Sequence, residues 1–219
     1  MMEFTAKDFI NYFKSIVEMI EQQKDYLCEL DRKVGDGDHG VTMSIGWQAV
    51  NEKLNKELAY EEDPAKVNLT VGKTFLSAVG SSVGPLYATG FMRGAKVVKG
   101  KTIVNDQDLI EFWIAFGKGI QERGGAQVGD KTMVDTLAPF VIELETQFNQ
   151  SRDFVSAFTS AVNEAKKGME STKDLLSKKG RSSRLGNRSI GVQDPGATSC
   201  YLLLEAFLNY VNNKVEKEN

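Results

Sequence analysis

One histidine and two cysteines are spread over 219 residues, and these scarcities remove whole classes of chemistry. The lone imidazole, His39, rules out a multi-histidine metal centre and any triad that needs a second histidine. Cys28 and Cys200 each fall in an apolar helical pattern, so they read as buried thiols of a reducing cytoplasm, not as a disulfide framework. No apolar run reaches the length of a membrane span, and the opening Met1-Met2-Glu3-Phe4 lacks a basic-then-apolar signal. The expected location is therefore the cytoplasm, away from membranes. An excess of one charge is missing too: a net charge of −3, with basic residues scattered outside one stretch, gives no general attraction to nucleic acid.

Alternating strand patterns are also lacking, whereas helical periodicity recurs from end to end. Residues 4 to 28 carry Phe9, Phe13, Ile16, Val17, Ile20, Tyr26 and Leu27 near the spacing of an amphipathic helix. A second pattern runs from Val41 to Leu58, with Ile45, Val50 and Leu54 facing inward. Others cover Val71 to Val79 and Phe91 to Val98, and a fifth, capped by Asn105 or Asp106, ends at Gly124-Gly125. Met133 to Phe148, a stretch starting at Ser151 or Asp153, and a last helix through Tyr201 and Val211 complete the set. About eight helices joined by short loops predict an all-α class, with one antiparallel bundle or barrel domain spanning residues 1–219.

Between the first two helices lies the densest chemistry. Asp31, Asp36 and Asp38 share ten residues with Gly35, Gly37 and Gly40. Carboxylate oxygens are hard ligands for Mg²⁺, Ca²⁺ or Mn²⁺. Asp36 and Asp38, two apart, leave an extended backbone on the same side, and Asp31 can swing in across the turn. An ordinary polar turn is the plain alternative. A calcium loop of the EF-hand type fits poorly, because counting from Asp36 its fifth and twelfth positions fall on Gly40 and Trp47. A magnesium site shared with phosphates fits better.

Three more loops stand out. Val79-Gly80-Ser81-Ser82-Val83-Gly84-Pro85 has the composition of a backbone that approaches a ligand closely, or of a tight helix contact. Ala126-Gln127-Val128-Gly129-Asp130-Lys131-Thr132 leads into Met133. Residues 178–196 are basic and glycine-punctuated, and Arg181, Arg184 and Arg188 can offer forked donors to anionic oxygens. Lys178 and Lys179 read equally as a solvated face. These four segments fall at every second connection. In an up-down bundle alternate connections share an end, so all four are expected to meet there.

With these loops the chain resembles the ADP-binding L subunits (DhaL) of bacterial phosphotransferase-linked dihydroxyacetone kinases. The similarity rests on Gly35-Asp36-Gly37-Asp38-His39-Gly40, Gly84-Pro85-Leu86-Tyr87, Gly129-Asp130-Lys131-Thr132-Met133 and the run from Lys179-Gly180-Arg181 to Asp194-Pro195-Gly196-Ala197. The resemblance implies an eight-helix barrel with a nucleotide at one end. It implies that Asp31, Asp36 and Asp38 hold two Mg²⁺ and, with Arg181, form the catalytic set. It also implies ADP or ATP lined by His39, Gly40, Val41, Thr42, Ser82, Val83, Gly124, Met133, Arg181, Asp194, Pro195 and Gly196, with Met133 packed on the base. Two partners follow from it: a DhaK-type subunit that holds dihydroxyacetone on a histidine, and a DhaM-type subunit whose phosphohistidine recharges the bound ADP.

Three positions depart from the family pattern. Val83 replaces a serine expected to donate to phosphate, Thr42 stands where asparagine is common, and Val192 where histidine is common. Losing one hydroxyl contact costs about 1–2 kcal/mol unless Ser82 or a water substitutes. These departures keep two alternatives in view: a non-catalytic ADP-binding regulator, and a kinase subunit using free ATP or another hydroxy compound. Monomer and homodimer both remain open, with the loop end free for a partner.

Overall fold

The computed structural model describes residues 2–218, and among them eight α-helices dominate. They are α1 (Ala6–Val34), α2 (His39–Asn55), α3 (Pro64–Ala78), α4 (Val83–Val97), α5 (Asp106–Gly124), α6 (Met133–Ser151), α7 (Phe154–Ser171) and α8 (Pro195–Glu218). Each packs on the next and α8 returns to α1, which closes the ring into a barrel. The expected all-α architecture holds.

Local sequence sets the helix starts. Thr5 with Asp8, Asn105 with Asp108 and Thr132 with Asp135 form reciprocal capping boxes at α1, α5 and α6. Asn105, not Asp106, is thus the cap of α5, while Asp153 caps α7 and Ser151 closes α6. Two differences from the sequence expectation concern regular structure. Phe4–Thr5 (β1) pairs antiparallel with Ile103–Val104 (β2), a two-residue ladder too short to leave a periodic pattern. Helix α4 begins at Val83, so Gly84-Pro85-Leu86-Tyr87 form its first turns and not a loop. Proline is tolerated there because first-turn amides need no intrahelical acceptor.

Inside the ring an aromatic cluster joins the helices. Trp113 of α5 lies 4.8 Å from Phe207 of α8 and 5.7 Å from Phe158 of α7, both edge-on. Gly90 and Gly94 let α4 close on α5: a Cβ at either would lie 2.5–2.7 Å from the rings of Phe116 and Phe112. Both cysteines are buried and free, as their helical setting predicts. Ile45 is a correction. It is 54% exposed because the inward face of α2 runs through Met43, Trp47, Val50 and Leu54. Tyr26 likewise faces outward on α1, at 44% exposure. No described helix is long and apolar enough to cross a membrane.

Candidate functional site

The α1–α2, α3–α4, α5–α6 and α7–α8 connections meet at one end of the barrel, around a cavity of about 750 Å³. That volume lies in the range of small-molecule sites. Alternate connections do share an end. The same topology aims the N-termini of α2, α4, α6 and α8 at the cavity through His39, Val83, Met133 and Pro195. Helix N-termini present unpaired N–H groups and a positive dipole end, and so favour anions. Ser82, the residue before α4, makes no side-chain cap, which leaves that terminus open.

At the α1–α2 connection, beside the N-terminus of α2, stand the carboxylates. Asp31, on the last turn of α1, accepts the backbone N–H groups of Asp38 (2.9 Å) and His39 (3.2 Å) through Oδ2. These bonds fold the Gly35–Asp38 loop back over α1. Asp31, Asp36 and Asp38 thereby each offer an oxygen within 4.8 Å of the others. Asp38 immediately precedes α2 yet caps nothing with its side chain. Like charges at this separation repel, and an all-oxygen donor set of this kind matches a hard divalent cation such as Mg²⁺. Arg181 supplies one local counter-charge, pairing with Asp36 from the α7–α8 connection.

Of the remaining residues expected at the site, His39, Thr42, Ser82, Val83, Gly124, Met133, Asp194, Pro195 and Gly196 line the cavity. Gly40 and Val41 do not. Gly40 faces α1, where a Cβ would sit 1.9 Å from the Lys24 carbonyl oxygen, and Val41 is 42% exposed on the outer side of α2. Gly40→Ala is accordingly expected to push α2 off α1 and lower the melting temperature by roughly 5 °C or more. An unchanged thermal melt would show that Gly40 is not needed for packing. Arg184 and Arg188 are exposed outside the cavity, so of the three arginines in the basic loop only Arg181 reaches it. Val192 lies outside the lining as well, and offers its carbonyl to Lys131.

Burial shifts the titration of His39 and Asp194 in opposite directions. His39 is held neutral, its pKa lowered to about 4 by burial against the opposing pull of Asp31; its Nε2 lies 3.0 Å from the Ser199 hydroxyl, which in turn lies 3.0 Å from the Tyr87 hydroxyl. Asp194 caps α8 by accepting the Ala197 N–H at 2.8 Å. Burial raises its pKa to about 6, although the Ala197 N–H and Lys131 pull it down. An unfolded aspartate loses its proton near pH 3.9, so Asp194 contributes stability below that pH, and the contribution is lost as pH rises towards 6. Asp194→Asn keeps a capping acceptor without the charge. In metal-free buffer its stability relative to the parent should rise by on the order of 2 kcal/mol between pH 4 and pH 7. A stability difference that stays flat across that range would disprove the assignment.

Sequence reasoning passed over Lys131 and Asp135. Asp135 was legible as the third residue after the Thr132 cap; its carboxylate accepts the N–H groups of Thr132 and Gly129. Lys131 sits inside a stretch singled out above, but its burial, 1% exposed, depends on a loop far along the chain.

A closed helical barrel whose small-residue loops, helix N-termini, carboxylates and the arginines Arg123 and Arg181 converge at an end is a domain built to bring an anion and a hard cation together. The chain belongs to the DAK2 domain family, which residues 33–209 match; Asp36, Asp38 and Arg181 fall inside that match and Asp31 just before it. It is 39% identical to the ADP-binding subunit DhaL of PEP-dependent dihydroxyacetone kinase 2 of Listeria innocua, over 90% of this chain and 91% of that one. It is 34% identical to the ADP-binding subunit DhaL of the Escherichia coli PEP-dependent dihydroxyacetone kinase, over 93% and 96%. Among solved structures, the dihydroxyacetone kinase of C. freundii superposes with a TM-score of 0.70 at 24% identity. That likeness covers 91% of this chain but 34% of the other, and it concerns the fold.

Proposed function

We propose that this chain, as one nucleotide-binding domain over residues 1–219, is the ADP-binding subunit of a dihydroxyacetone kinase. In this reading it receives a phosphoryl group on bound ADP from a DhaM-type phosphohistidine and passes it to dihydroxyacetone on a DhaK-type subunit. The observation that carries the reading is the meeting of three carboxylates, Arg181 and four helix N-termini in one cavity. The two L-subunit relatives, aligned along nearly their full length, support it.

Phosphoryl transfer asks a protein mainly for positioning and charge neutralisation. Asp31, Asp36 and Asp38 would hold Mg²⁺, two ions by family resemblance, and the metal would supply neutralisation of the phosphate charge. Backbone amides at the start of α4, which no side chain caps, would face phosphate oxygens, and Arg181 would offer a fork of donors from beside Asp36. Met133, packed against Gly196, would offer its polarisable side chain to the base. His39 is buried against Ser199, which leaves no free imidazole to capture a ketone; a separate substrate-holding subunit follows naturally.

Nucleotide-stripped protein titrated calorimetrically with ADP should bind tightly only when Mg²⁺ is present. Addition of DhaK-type and DhaM-type partners with the phosphoenolpyruvate relay should then phosphorylate dihydroxyacetone. Mg²⁺-indifferent binding, or no turnover in the complete mixture, would reject the reading.

Val83 favours a second reading, a non-catalytic ADP-binding regulator. Its isopropyl group occupies the cavity wall where the family places a hydroxyl donor. Val83→Ser should tighten ADP binding about tenfold if the missing contact matters, matching one hydrogen bond to a charged oxygen. An unchanged affinity would mean that Ser82 or water already fills the role, and would remove the motive for the second reading.

A further inference from the structure

We propose that Lys131 is a positioning residue that staples the α7–α8 connection shut and so holds Arg181 at the cavity, without itself binding phosphate. A lysine in a Gly-Asp-Lys-Thr stretch beside an anion site invites the opposite assignment, that of a phosphate ligand. Its bonding argues against that. The three protons of its ammonium group match three carbonyls: Leu175 at 3.3 Å, Ser189 at 2.5 Å and Val192 at 2.6 Å. Leu175 belongs to the outgoing limb of the connection, Ser189 and Val192 to the returning limb. The ammonium therefore ties the two limbs together at their neck.

Two further contacts close the same neck, and a third ties its outgoing limb to the α5–α6 connection. Gly191 donates to the Lys173 carbonyl at 2.7 Å, the Ser177 N–H donates to the Ser189 hydroxyl at 3.0 Å, and the Lys178 N–H donates to the Asp130 carbonyl at 3.1 Å. Between the limbs the chain carries Lys178, Lys179, Arg181, Arg184 and Arg188. Such a run of cations repels itself and has little apolar surface to bury, so it needs an anchor. Carbonyl dipoles, unlike these side chains, can accept a buried cation. Lys131 also adopts φ +61°, a left-handed conformation that a non-glycine residue rarely takes. Backbone strain of this kind persists where surrounding contacts over-determine the position. Here the reward is the reach of the ammonium into the neck.

The structural half of this proposal stands by itself; its consequence for nucleotide affinity rests on the function proposed above. The test uses the full chain with Lys131→Met, which keeps the volume and removes the donors. Limited trypsin digestion, without metal or nucleotide, reads opening of the connection through cleavage after the exposed Arg181, Arg184 and Arg188. Cleavage there should be at least about tenfold faster in the variant while thermal unfolding stays cooperative. Should Lys131→Met fail to fold, Lys131→Gln, which keeps a shorter donor, takes its place in the same assay.

A double-mutant cycle with Arg181→Ala then separates positioning from direct contact. If Lys131 acts through Arg181, adding Arg181→Ala to Lys131→Met should weaken Mg²⁺-ADP binding by less than twofold beyond Lys131→Met alone. Fully additive losses would mean that Lys131 touches the ligand itself, and would overturn the proposal. Unchanged trypsin resistance would overturn it as well. Should the parent protein bind no ADP, the functional reading fails and the digestion decides the structural claim alone.

Discussion

Asp38→Asn is expected to abolish Mg²⁺-dependent ADP binding while leaving the barrel intact. Asp38 is the cleanest of the three carboxylates to remove. Asp31 holds the loop through the Asp38 and His39 N–H groups, and Asp36 pairs with Arg181, so replacing either mixes two effects. The Asp38 side chain makes no cap to α2 and has one evident use, an oxygen aimed at the same point as those of Asp31 and Asp36. Asparagine keeps the shape and one acceptor oxygen but loses the charge that a hard cation requires. Loss of a carboxylate from so small a donor set should weaken the Mg²⁺-dependent component by about 100-fold or more, near 2.7 kcal/mol. The metal-free melting temperature should stay level or rise slightly, since a repulsive neighbour has gone. The stabilisation that Mg²⁺ plus ADP give the parent should disappear. Retention of that thermal shift in the variant would remove the carboxylate cluster from the proposed mechanism.

Arg181→Ala should cost the reconstituted kinase on the order of 10³-fold in turnover, with a smaller loss in ADP affinity. A guanidinium aimed at transferring phosphoryl oxygens contributes most when charge builds in the transition state. At rest, Arg181 is already engaged by Asp36, and an exposed pair of that kind contributes little to stability. Arg181→Lys should recover little, because a single ammonium cannot reproduce the planar fork. A variant whose loss lay wholly in KM, with turnover intact, would show that Arg181 only helps to hold the nucleotide.

The legible parts of the site were those written in local composition. Asp31, Asp36 and Asp38 lie within eight residues, so little more than one turn and its glycines is needed to gather them. The meeting of the four loops was legible too, by counting connections, because antiparallel helices joined by short links must alternate ends. Finer placement was not. Ile45 and Tyr26 fit an apolar spacing yet face outward, since which arc of a helix is covered depends on the angle at which its neighbours cross. Gly40 and Val41 stand beside true cavity residues in sequence, but a helix turns about 100° per residue and carries them away from the opening.

The sequence by itself determined the helices, their caps at Thr5, Asn105 and Thr132, and the residue types available for chemistry, because these follow from periodicity and nearest-neighbour hydrogen bonding. Only the tertiary structure decided which side chains share the cavity, what environment His39 and Asp194 titrate in, and that Lys131 turns its charge on carbonyls 44 to 61 residues further along. Burial and field at an atom are set by every element packed around it, and here those elements come from all four loops at once.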